Sequence, residues 1–219
     1  MTVAGPAFAA MIAACTALPA LAHPHVFIDT EVEIILNAEG MVDAVRITWF
    51  YDELYTLSII EDRGFDPDFD GVLDSAEKAA LSGFDMVWDE GYPGDTYVLA
   101  GETPLALGGP SDWTADYVDG RLVSTHLRRV KTPADPRDVP FVVQSYDPSY
   151  YVSYRIVGTP KVTGGTDCAA QIFEPDLAAA DRALEAALEE YYGSDLEGDF
   201  PAVGAAYADE VRLTCPARS

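Results

Sequence analysis

HVFIDTEVEIIL (25–36), NAEG (37–40) and MVDAVRITWF (41–50), read together, decide the fold. Val26, Ile28, Val32, Ile34 and Ile35 give the first segment the apolar, β-branched pattern of a half-buried strand. Asn37-Ala38-Glu39-Gly40 is a turn, and the second segment returns along the first, so the chain opens on a β-hairpin. Working outward, strand patterns resume after Pro93, at residues 96–100, 113–118, 122–130, 141–146 and 151–157. Asp119-Gly120 suits a tight hairpin between two of them, and 132–138 reads as a Pro-rich loop. Residues 176–192 form the clearest amphipathic helix, capped by Asp176, lined by Leu177, Leu184 and Leu188, and stopped by Gly193. A short helical piece at 202–207 and a strand at 210–215 close the chain. Strands with segregated helices mean α+β: a β-sandwich-like body, a helix–loop–helix insertion at 51–90 and a C-terminal helix. No Pro/Gly linker divides 23–219, which therefore reads as one domain.

The insertion carries the most specific motif. DPDFDGVLDSAE (66–77) matches the calcium-loop pattern D-x-D-x-D-G-x5-E at every fixed position. Calcium takes six to eight oxygen ligands. Asp66, Asp68 and Asp70 supply carboxylates, Gly71 allows the sharp turn, and Val72 offers its carbonyl. Asp74 binds directly or through water, and Glu77 closes the site with two oxygens. Leu73 is apolar and turns into the core. Helix-like stretches flank the loop, 51–63 before it and 75–90 after it, the latter with Ala80, Phe84, Val87 and Trp88 on one side. With a single such loop and few methionines, a fixed structural calcium is expected rather than a calcium switch.

Residues 1–22 carry no charged side chain and end Ala20-Leu21-Ala22, an A-x-A cleavage signal. Export to the periplasm with cleavage after Ala22 is expected; a lipobox at Cys15 is the alternative. The mature chain then begins His23-Pro24-His25. An N-terminal histidine offers its amine and ring nitrogen as a chelating pair, suited to copper, zinc, nickel or cobalt. Asp29 shares a strand face with His25, as a further ligand or a partner to the imidazole. His126, the third histidine of three, is the remaining candidate for that site.

Thirteen basic against 37 acidic residues give a net charge of −24, which argues against nucleic acid and anionic membrane as partners and favours cations. At 49% hydrophobic the chain can build a core. Cys168 and Cys215 remain after export, an even pair in an oxidising compartment, and a disulfide is expected; a two-thiolate metal site is the alternative.

The HPH terminus followed by V-F-I-D, W-F-Y-D-E at 49–53, Y-D-P-S-Y-Y at 146–151 and G-x-x-Y-A-D-x-V-x-L-x-C at 204–215 together resemble the DUF1007 family. The resemblance spans nearly the whole mature chain. It implies a periplasmic component of an uncharacterised ABC-type transport system, associated with nickel/cobalt-type permeases and with zinc or other transition-metal uptake. Its opening HPH-x-x-x-D falls on His23, His25 and Asp29. The leading expectation is thus a non-enzymatic accessory protein that captures a transition metal for an inner-membrane permease or ABC-type transporter, stiffened by calcium. A calcium-stabilised interaction module without a transition metal is the alternative. A copper histidine-brace enzyme is the third reading, disfavoured because no G-x-S-x-G, H-E-x-x-H or Cys–His pair is present.

Overall fold

The computed structural model describes residues 24–165, 167–190 and 200–217. Two sheets share one hydrophobic core. The chain starts with β1 (Val26–Leu36) and β2 (Val42–Tyr51), the expected antiparallel hairpin. Every second residue of β1, from Val26 to Leu36, is buried, because side chains of a strand alternate between faces. β5 (Leu107–Val118) and β6 (Arg121–Ala134) form a second hairpin beside it, turning at Asp119-Gly120 with both residues at positive φ, 51° and 82°. β8 (Val152–Ile156) and β9 (Lys161–Thr163) both pair parallel with β1. The large sheet therefore runs β5-β6-β2-β1-β8, with β9 also against β1.

The smaller sheet runs β10-β11-β7-β3-β4. Its strands are β3 (Thr96–Ala100), β4 (Thr103–Pro104), β7 (Phe141–Ser145), β10 (Ala169–Phe173) and β11 (Glu210–Thr214). Val98, Phe141, Val143, Val211 and Leu213 from this sheet join Ile28, Ile34, Ile47 and Leu122 from the large one in a single cluster. Cys168 and Cys215 are bridged, tying the start of β10 to the end of β11. A bridge of this kind fits an oxidising compartment.

Several elements depart from expectation. Tyr51 ends β2 rather than opening a helix, and Asp52 caps α1 (Glu53–Arg63) by accepting from the Tyr55 N–H at 2.8 Å. The second helix does not reach residue 90: α2 covers only Ser75–Ala80. Gly83 takes a left-handed φ of 72°, and tighter turns at Leu81–Phe84 and Gly83–Met86 replace the helix, burying Leu81, Phe84 and Met86 while leaving Val87 94% exposed. β6 runs on to Ala134, into the segment read as a loop. In α3 (Leu177–Glu190) the buried face is Ala180 and Leu184; Leu177 lies exposed. The stop assigned to Gly193 falls outside the described residues. No helix among the described residues is long and apolar enough to cross a membrane.

Candidate metal centre

The loop between α1 and α2 is turned by hydrogen bonds to its own aspartates. Gly64 closes α1 at φ 65° and Phe65 leads into the loop. Asp66 Oδ1 accepts from the Asp70 N–H at 3.3 Å and Oδ2 from the Gly71 N–H at 3.0 Å. Asp70 Oδ1 accepts from the Val72 N–H at 2.8 Å. Phe69 and Gly71 sit at φ 57° and 77°, the second in the left-handed region where glycine is at ease. These turns bring one carboxylate oxygen each of Asp66, Asp68 and Asp70 within 4.8 Å of one another. A hydrogen bond to Asp66 is the main reason that the Asp68 carboxyl holds its proton above the ordinary range, with nearby Asp70 adding to it. Leu73 is buried in the core, as expected. Val72 is exposed.

The closing ligands are otherwise engaged. Asp74 caps α2, accepting from the N–H groups of Ala76 at 2.7 Å and Glu77 at 3.0 Å. Glu77 returns its carboxylate to the Asp74 N–H, completing a capping box. Three carboxylates thus face one another while the remaining two hold the next helix in place.

The expected transition-metal set is not brought together. His23 lies outside the described residues. His25 is exposed; its backbone N–H donates to the Tyr151 carbonyl at 2.8 Å and its ring lies 4.7 Å from that of Tyr151. Asp29 does point to the same side of β1, but it is held by Arg121 at 2.9 Å and Arg155 at 2.8 Å. Burial works to raise its pKa, yet the hydrogen bonds from these two guanidinium groups leave it below the ordinary range. His126 faces the opposite way, into the core, wholly buried between Trp49 at 4.6 Å and Trp88 at 5.4 Å. Register explains the separation. Asp29 is opposite Phe50 and Val123 on the outer side, whereas His126 is opposite Ile47 and Val32 on the inner side. The expectation that Asp29 and His126 join one centre is therefore corrected.

A buried polar layer escaped the sequence reading. Asp85 accepts from the Tyr51 hydroxyl at 2.7 Å and from the Ser124 hydroxyl. Burial raises its pKa. Asp95 accepts from the hydroxyls of Tyr92 and Tyr154, both at 2.8 Å, and burial pushes its pKa up to about 6. Burial, helped by the Arg128 charge, lowers His126 to about 3. Neither ring nitrogen of His126 has a hydrogen-bond partner, nor does the Trp49 indole N–H. The only signal in the sequence was polar residues at inward positions of strands, such as Ser124, His126 and Arg128 on β6.

No curated protein matches this chain. The family described as "Protein of unknown function (DUF1007)" matches residues 8–215. That match covers both sheets, the acidic loop and the disulfide, and the chain belongs to the DUF1007 family.

Proposed function

We propose that the protein is an exported metal-binding accessory protein: calcium occupies the 66–77 loop, and the histidine-bearing amino terminus captures a transition metal (zinc, copper, nickel or cobalt) for an inner-membrane permease. The observation that carries the cation reading is the convergence of Asp66, Asp68 and Asp70 in a loop whose backbone is already turned. The net charge of −24 adds long-range attraction for cations. The transition-metal part is supported by the sequence HPH and by the exposure of His25 at the open end of β1. His23 and His25 are its ligands; Asp29 and His126 have no part in it.

The test is a native mass of the protein exported with its own leader and purified from the periplasm. The proposal expects a chain starting at His23 with calcium and a transition metal, the latter lost in the His23→Ala/His25→Ala variant. Calcium alone, with no uptake of zinc, copper or nickel on titration, would leave the second reading, a calcium-stabilised interaction module. Exposed Phe27 on β1 and Leu54 and Leu57 on α1 favour that reading as an apolar docking face. Their elements are joined by two hydrogen bonds between Phe27 and Asp52.

A further inference from the structure

A cavity of about 660 Å³ opens where β5 and β6 of the large sheet meet β3 and β7 of the small one. Arg128 forms part of its wall. This side chain is 4% exposed, and its contacts are with neutral groups. Nε donates to the Gly108 carbonyl at 2.7 Å, Nη1 donates to the Pro93 carbonyl at 2.8 Å, and the guanidinium lies 4.7 Å over the Trp88 ring. Among the described residues, Nη2 makes no hydrogen bond and no carboxylate lies within ion-pair distance of the group. Lys131, three residues further along β6, also borders the cavity, but strand alternation puts its side chain on the opposite, exposed face.

Arg46, Lys78, Arg121, Arg129, Arg137, Arg155 and Arg212 all pair with a carboxylate. Arg63, Lys131, Lys161 and Arg182 form no ion pair among the described residues, but all four are exposed, whereas Arg128 is buried. With 37 acidic residues available, Arg128 is not paired even though Asp89 lies on the same lining. A buried charge is costly unless a counter-charge meets it. Burial accordingly lowers Arg128 to about 10. The local backbone is shaped to hold the guanidinium there. Gly94 sits at φ 68°, and a Cβ on it would lie 2.4 Å from both Arg128 Nη1 and the Trp88 ring. The other walls are flat and partly apolar: Tyr92, and Tyr97 stacked on Tyr146 at 3.9 Å. The volume suits a small molecule.

We propose that this cavity binds a small organic carboxylate with a flat or apolar body. Its carboxylate meets the free Nη edge of Arg128, and its body lies against Trp88 and the tyrosine pair. A guanidinium fork matches the two oxygens of a carboxylate, which favours this group over a neutral one.

The test is calorimetric titration of the whole mature protein with benzoate, cyclohexanecarboxylate and succinate, with benzamide and inorganic phosphate as comparators. At least one of the first two is expected to bind, and benzamide to bind at least about tenfold more weakly. Arg128→Lys, which keeps the charge and loses the fork, should weaken carboxylate binding about tenfold while the far-ultraviolet spectrum stays unchanged. The proposal is overturned if none of the carboxylates binds up to about 20 mM. Equal binding of benzamide and benzoate, phosphate binding as tightly as the carboxylates, or an unchanged affinity in Arg128→Lys would overturn it too.

Discussion

Glu77 folds back on Asp74: its Oε2 accepts the backbone N–H of Asp74 at 2.7 Å. Calcium at the proposed site of Asp66, Asp68 and Asp70 would compete for that same carboxylate. The two roles separate by substitution. Without calcium, Glu77→Gln keeps the cap and should melt close to the wild type, whereas Glu77→Ala should lose about 1 kcal/mol. With calcium, both variants should lose the calcium-dependent rise in melting temperature. Thermal melts in chelator and in calcium check this; a full calcium response in Glu77→Ala would remove the loop as a site.

Stability should depend on pH through opposed groups in the core, His126 against Asp95 and Asp85. His126 is lowered to about 3, so its contribution is complete above its unfolded value near 6.5 and is lost as pH falls toward 3. Asp95 is raised to about 6, so its contribution is complete below 3.8 and is lost as pH rises through 6. Between about pH 4 and 6 the slopes, each about 1.4 kcal/mol per pH unit, oppose each other. Asp95→Asn, which an αL backbone at φ 43° tolerates, removes one of them. Urea unfolding from pH 4 to 6 should then show a dependence of stability on pH that is more positive in the variant than in the wild type, by about 1.4 kcal/mol per pH unit.

Metal titration should ignore the interior. His126→Leu and Asp29→Asn are expected to leave zinc or copper stoichiometry unchanged, since one residue is enclosed by tryptophans and the other is held by two arginines. His25→Ala should reduce it. Loss of stoichiometry in His126→Leu with the fold intact would contradict this division.

Reducing the Cys168–Cys215 bridge, which spans 47 residues, should cost about 4 kcal/mol on the chain-entropy account. Chemical denaturation of the Cys168→Ala/Cys215→Ala variant measures it directly; a loss below about 1 kcal/mol would mean that β10 and β11 stay paired in the unfolded ensemble.

Strand alternation made much of the fold legible. Ile28, Val32 and Ile34 announce the half-buried strand β1, and Asp119-Gly120 announces the turn between β5 and β6, because both signals are local. The length of α2 was not legible, since Phe84 and Trp88 keep a helical spacing that Gly83 overrides by turning left-handed. The parallel pairing of β1 with β8 and β9 leaves no local trace at all. For the site, the motif 66–77 located the three converging carboxylates. It could not show that Glu77 serves a helix cap. Likewise, a histidine in a strand pattern does not declare its face, and only the register across β1, β2 and β6 separates His126 from Asp29.

That parallel pairing also bears on the order of events in the life of the chain. Asp29 on β1 meets Arg155 on β8, 126 residues later. The first strand to leave the ribosome therefore has to wait for nearly the last third of the sequence before its second edge is covered. Contacts so distant in sequence form slowly, because the loop between them must be closed first. The large sheet thus stays open along that edge until β8 and β9 have been made, with more than two thirds of the chain already synthesised.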